Sequence, residues 1–391
     1  MDYLGTKSTR VDLDSHPTIW SIVFLAVLGP SMFILQPGYV QGLVDYGSLS
    51  EEQAGLIAAS EMFGIAITAI VMYFLAHRFN WRVLTLVFVL MILAGNIASL
   101  GQLDFTKLRT FRFATGLGSG GIISITFAMM SLTTRADRNM GLIVTAVLTW
   151  GALGLLFMPT LFQHFGIDGF MWILAIFSLL GLFAIRYTPC FAQSAAHQEN
   201  PIIQIAPPLR YGLLLGVLIY NLAIGIVWVY LSLVGIEAGI SEQTVANILT
   251  ISQILGIGGA LVAFFLEFRV GRLLPLQASI IGAAIGISLI LGQPTLVNFA
   301  VGACLFNLLW NVTQPYLVAM LAAYDSDNKL VIQGVAMQMI GYSVGPTLAA
   351  LLLNLGSYSG VNKIAIGLFA GSALIITIGL KAVKKQTRLK V

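Results

Sequence analysis

Charge is what this chain has least of. Lysine, arginine, aspartate and glutamate make up 9% of its 391 residues, against about 25% in soluble proteins. So few charges cannot cover a water-facing surface, which excludes a soluble globular domain. The two cysteines, Cys190 and Cys304, fit neither a disulfide framework nor a metal spacing. Four histidines in no zinc-protease spacing, and no P-loop, leave no sign of an embedded hydrolase or of ATP coupling. No enzyme activity, metal or cofactor is expected. A removable signal peptide is not expected either, because residues 1–17 are polar and the first apolar run is too long for one. The net charge of +4 reflects where the loops lie rather than a nucleic-acid surface.

What the chain has instead is apolar residues, 58% of the total, with a mean hydropathy of +0.92. The runs predict an all-α integral membrane protein. Twelve transmembrane helices are expected at 18–44, 51–76, 82–101, 105–132, 139–162, 168–187, 209–236, 242–267, 273–292, 296–323, 329–355 and 361–382. Each supplies the roughly 20 apolar residues that a bilayer core requires. Ser50-Glu51-Glu52-Gln53 reads as a capping box opening the second helix. Asp104 reads as the N-cap of the fourth.

Of the 20 lysines and arginines, all but Lys107, Arg109, Arg112 and Lys363 fall in the tails and the even-to-odd loops, which leaves 16 on one side. The positive-inside rule then places both termini in the cytoplasm. Short loops suit a bacterial inner membrane. The polar stretch 188–208 divides the chain into an N-terminal six-helix bundle, 1–187, and a C-terminal six-helix bundle with a basic tail, 209–391. The halves echo one another. Ser60-Glu61-Met62-Phe63-Gly64 returns as Ser252-Gln253-Ile254-Leu255-Gly256. His77-Arg78-Phe79-Asn80-Trp81-Arg82 returns as Phe268-Arg269-Val270-Gly271-Arg272. Two related halves place a binding site at their interface near the bilayer midplane.

These features resemble the major facilitator superfamily along nearly the whole chain. The family's loop signature, Gly-x-Leu-Ala-Asp-Arg-x-Gly-Arg-Lys, is matched by Leu75-Ala76-His77-Arg78-Phe79-Asn80-Trp81-Arg82, with His77 in the Asp place and Asn80 in the Gly place. The second copy keeps Arg269, Gly271 and Arg272. The helix 4 signature Arg-x-x-x-Gly-x-Gly is intact at Arg112, Gly116 and Gly118. The helix 5 antiporter signature is degraded to Gly151 and Gly154 with Pro159 displaced, while helix 11 carries Gly341, Gly345 and Pro346. The resemblance implies a pseudo-symmetric secondary transporter working as a monomer by alternating access. These loop arginines, glycines and the proline would serve in gating.

Two charges lie clearly at membrane depth, Glu61 and Arg112. Glu61 is about 10 residues into helix 2, roughly 15 Å deep by the helical rise. Intramembrane ionisable residues mark pathways and proton relays by default. A Glu61–Arg112 pair is therefore the expected proton-coupling site, and the bland reading is a pair that only ties the half together. The family fold lines its cavity with helices 1, 4, 7 and 10. The implied substrate-binding residues are Gln36, Arg112, Ser119, Tyr220, Asn221, Trp228, Asn307, Trp310, Asn311 and Gln314, with Gln338 from helix 11. Asn307, Asn311 and Gln314 form one stripe at i, i+4 and i+7. Such amides and aromatics suit a small amphipathic organic solute. An organic anion is one variant, because the Arg112 fork suits a carboxylate. A multidrug-type proton antiporter and a lipid flippase or scramblase are the alternatives, with a non-transporting sensor behind them.

Overall fold

The computed structural model describes residues 11–75, 78–190, 205–266, 273–324, 330–353 and 356–388. They form thirteen α-helices. These are α1 (His16–Leu28), α2 (Ser31–Ile34), α3 (Gln36–Asp45), α4 (Glu51–Leu75), α5 (Trp81–Ala98), α6 (Phe105–Ser131), α7 (Ala136–Ala184), α8 (Pro207–Glu237), α9 (Glu242–Leu266), α10 (Leu273–Ser288), α11 (Leu296–Ala322), α12 (Leu330–Leu353) and α13 (Tyr358–Arg388). Nine stretches among the described residues are long and apolar enough to cross a membrane, and α1 and α10 are shorter apolar helices.

The expected first helix, 18–44, is not continuous. It breaks after Leu28 and again at Leu35. Pro30 and Pro37 supply the reason: each lacks an N–H and crowds the carbonyl four residues back. For Pro37 that carbonyl belongs to Phe33. The expected fifth and sixth helices run as one stretch, α7, divided at Gly166, whose φ of 59° is left-handed. Glycine tolerates that conformation at no steric cost. Helix starts follow their caps. Ser50 and Gln53 bond reciprocally at 3.1 and 3.2 Å. Asp104 accepts from the Lys107 amide at 2.9 Å. Asn80 accepts from the amides of Arg82 and Val83, so the residue in the family's glycine place caps α5.

Helices α1 to α7 pack mainly with one another, as do α8 to α13. The contacts between the two sets run along α4–α12, α7–α9 and α3–α8. Within the first set α6 is the centre, and its alternate glycines explain how. Positions 116 and 120 lie one turn apart on one face, while 118 points about 200° away from 116. A Cβ on Gly116 would collide with the Glu61 carbonyl of α4, and one on Gly120 with the Ile65 carbonyl. A Cβ on Gly118 would stand 2.6 Å from the Phe88 carbonyl of α5. Such small residues let backbones touch in a membrane protein. Gly341 and Gly345 do the same for α12 against Asn221, Leu222 and Gly225 of α8. Pro346 stands beside Gly225 in that seam. Gly116→Ala is expected to lower stability by about 1–3 kcal/mol, the usual range for overpacking. Unchanged thermal unfolding of the purified variant would contradict the α4–α6 contact.

Of the expected gating arginines, Arg82 donates to the carbonyls of Thr188 and Arg186 at 3.0 and 3.2 Å, tying the start of α5 to the end of α7. Arg78 is exposed. His77, Arg269, Gly271 and Arg272 lie outside the described residues, as does most of the expected linker.

Candidate functional site

Arg112 and Glu61 are 0% and 1% exposed, and Arg112 Nη1 stands 3.8 Å from Glu61 Oε2. That distance makes an ion pair but is too long for a hydrogen bond. The firm bonds of the guanidinium go elsewhere. The two N–H groups of its Nη2 are shared among Asn96 Oδ1 at 3.0 Å, Ser99 Oγ at 2.9 Å and Thr115 Oγ1 at 3.0 Å. Asn96 is itself held by Ser178 at 3.2 Å. The arginine is thus anchored on α5 and α6 by neutral oxygens. Its Nη1 and Nε, and Glu61 Oε2, carry no hydrogen bond. Nearby on α3, the Gln36 amide and the Tyr39 hydroxyl are also buried without a bonded partner.

The second set of helices holds a neutral amide pair in a related place. Gln253 stands where the sequence echo places the counterpart of Glu61. Its Oε1 accepts from Asn307 Nδ2 at 3.3 Å, and Ser252 Oγ accepts from the same nitrogen at 3.2 Å. The residue in the place of Glu61 is thus an amide, which carries no charge.

A cavity of about 280 Å³ lies between the two sets of helices. Pro30, Phe33, Ile34, Met62, Ile65, Ile123, Phe127, Ile143, Val144, Val147 and Leu148 form one wall. Trp310, Asn311, Gln314, Gln338, Met339 and Tyr342 form the other. The first wall is apolar and the second carries the polar atoms. None of these residues is charged. Tyr342 is the hub: its hydroxyl oxygen accepts from Trp310 Nε1 at 3.0 Å, Gln314 Nε2 at 2.7 Å and Gln338 Nε2 at 3.3 Å. The Phe33 ring lies across from it, 4.9 Å from Tyr342 and 5.9 Å from Trp310 between centroids.

On the other side of the seam from this cavity the two sets are joined. Tyr46 donates to Glu242 at 2.9 Å, and Tyr230 to the Glu51 carbonyl at 2.8 Å. Gln243 reaches the Leu156 carbonyl at 3.2 Å, and Thr250 the Ala152 carbonyl at 3.1 Å. Burial and the Glu242 carboxylate raise the Tyr46 hydroxyl to about 12. Tyr46 therefore stays a donor at neutral pH, and its contribution fades only as pH rises from about 10 towards 12. Beside the cavity, Trp228 Nε1 donates to the Phe33 carbonyl at 2.9 Å. This is the carbonyl that Pro37 leaves without a helical partner.

The expected binding residues therefore divide. Trp310, Asn311, Gln314 and Gln338 line the cavity. The others do not, and each has a physical reason. Arg112 is held by α5. Ser119 is buried where α6 passes Gly29. Gln36 is buried on α3. Tyr220 is buried with its ring 5.5 Å from Phe369. Asn221 bonds its own helix and Gln314. Trp228 spans the two sets, and Asn307 turns to α9. The apolar wall was not anticipated, since residues such as Met62 and Ile123 carry no distinguishing signal in a chain this apolar.

A helical membrane protein with a cavity between two sets of helices, closed at one end of the seam, has the anatomy of a carrier. Residues 19–329 match the Major Facilitator Superfamily, and the chain belongs to it. It is a multi-pass membrane transporter and not an enzyme. Its fold is similar to that in the crystal structure of a point mutant of the nucleoside transporter NupG. The TM-score is 0.72 at 13% identity, over 94% of this chain and 100% of that one. At that identity the likeness concerns the fold. No curated protein sequence matches the chain significantly.

Proposed function

We propose that the protein is a proton-coupled secondary transporter that moves a small amphipathic organic solute by alternating access. The observation that carries this reading is the asymmetry of the seam: a cavity on one side and cross-set hydrogen bonds on the other. Counting α1–α3 as one broken span and α7 as two rods gives twelve spans in two six-helix bundles. With both termini in the cytoplasm of a plasma membrane, bacterial inner membrane included, this arrangement is the inward-facing one. Rocking of the bundles would break the Tyr46–Glu242 and Tyr230–Glu51 contacts and close the cavity from below. The glycine seams keep each bundle rigid while the halves move as a monomer.

Coupling falls to Glu61 and Arg112. Glu61 surrenders only a 3.8 Å contact when it takes up a proton, and the guanidinium remains anchored by Asn96, Ser99 and Thr115. The organic-anion variant needs Arg112 to reach the cavity, and in this conformation those three bonds hold it away.

The test is accessibility. Asn311→Cys, in a background lacking Cys190 and Cys304, is expected to react with a small polar thiol reagent from the side bearing the N-terminus. Labelling should fall when the conformation is biased the other way. Equal labelling in both conformations, or none in either, would remove this cavity from the pathway.

A further inference from the structure

The hydrogen bonds behind the cavity wall fix which polar atoms it presents. Asn221 Nδ2 donates to the Val217 carbonyl at 2.8 Å, and a carbonyl can only accept. That bond turns Asn221 Oδ1 to Gln314, whose Nε2 donates to it at 2.8 Å. Gln314 Oε1 is then turned to Gln338, whose Nε2 donates to it at 3.1 Å. Each amide imposes its orientation on the next. The spare atom at the end of the relay is Gln338 Oε1, an acceptor. Asn311 is fixed in the same way. Its Nδ2 donates to the Asn307 carbonyl at 2.9 Å, which leaves Oδ1 spare. Tyr342 oxygen already receives three N–H groups. Its lone pairs are taken, so it offers the cavity no further acceptor.

The recognition edge therefore holds two amide acceptors, Gln338 Oε1 and Asn311 Oδ1, beside the faces of Phe33 and Trp310. No cation lies among the described residues of the wall. A carboxylate there would lose its hydration with no counter-charge and would face two carbonyl oxygens. The volume of about 280 Å³ is just below the roughly 300–1,000 Å³ of organic-ligand pockets, which suits a small ligand. We infer that the cavity takes an uncharged one- or two-ring aromatic compound bearing N–H or O–H donors along one edge, and rejects carboxylates. This rests on the cavity being the transport pathway.

Three matched probes test it on the purified full-length protein: naphthalene-2-carboxamide, its N,N-dimethyl amide and naphthalene-2-carboxylate. Thermal shift and ligand-observed NMR read binding. The primary amide is expected to bind about tenfold more tightly than either analogue, the equivalent of one to two net hydrogen bonds. Gln338→Leu and, independently, Asn311→Leu should shrink that preference severalfold while ligand-free unfolding checks that each variant is folded. Tightest binding by the carboxylate, equal binding of the two amides, or no binding of the primary amide at its solubility limit would overturn the assignment. The wild-type comparison decides even if a variant fails to fold. The Asn311→Cys labelling separates the two readings. Normal labelling with the wrong ligand preference sinks the substrate class alone, and absent labelling sinks the pathway.

Discussion

Arg112→Ala is expected to cost the fold about 3–5 kcal/mol, the range for removing one partner of a buried ion pair. The loss has two parts that can be separated. Glu61 becomes a buried carboxylate with no counter-charge, and Asn96, Ser99 and Thr115 lose the donor that links α5 to α6. Adding Glu61→Gln removes the first part and leaves the second. The double variant should therefore unfold at a higher temperature than Arg112→Ala alone and still below the parent. Asn96→Ala in the parent should reproduce much of the second part. Thermal unfolding in detergent, followed by circular dichroism, compares the four proteins. A double variant less stable than Arg112→Ala would mean that Glu61 is held by something other than the arginine.

The class of the protein was legible because composition alone forces it: a chain with so little charge must be solvated by lipid. Helix positions followed from apolar length and caps such as Asp104. The break in the first helix was legible too, in Pro30 and Pro37, but an apolar run masks a proline unless the backbone bonds are counted. The site was harder. Asn307, Asn311 and Gln314 share one face of α11, yet only the last two meet the cavity, because that face is divided between α9 and open space. A helical stripe gives direction around one axis and says nothing of which neighbour stands opposite. The partner of Arg112 illustrates the same limit. Glu61 is legible because both are charged, whereas Asn96 and Ser99, which make its shorter contacts, look like ordinary interhelical amides and hydroxyls. The departure at Asn80 has its reason in three dimensions, where the side chain caps α5.

Glu61→Gln is expected to abolish transport driven by a pH gradient while leaving the fold and ligand binding in place. The substitution keeps shape and hydrogen-bonding capacity but removes the only titration in the pair, since arginine stays charged throughout the working range. A gradient of one pH unit supplies about 1.4 kcal/mol per proton, and a carrier that cannot load the proton cannot draw on it. Exchange of substrate across the membrane needs no proton cycle and should persist. The neutral counterpart, Gln253 with Asn307, shows that this position in the fold tolerates an amide when its neighbour is also neutral. In Glu61→Gln the neighbour is still the charged, buried Arg112, so a loss of stability is expected alongside the loss of coupling, softened by the three neutral oxygens that hold its Nη2. Vesicles with an imposed gradient measure accumulation, counterflow measures exchange, and infrared difference spectra on a pH step report whether a buried carboxyl protonates. The carboxyl band should be present in the parent and missing in the variant. Gradient-driven accumulation at the parent level, with the band gone, would assign coupling to another residue and leave Glu61–Arg112 as a tie between α4 and α6.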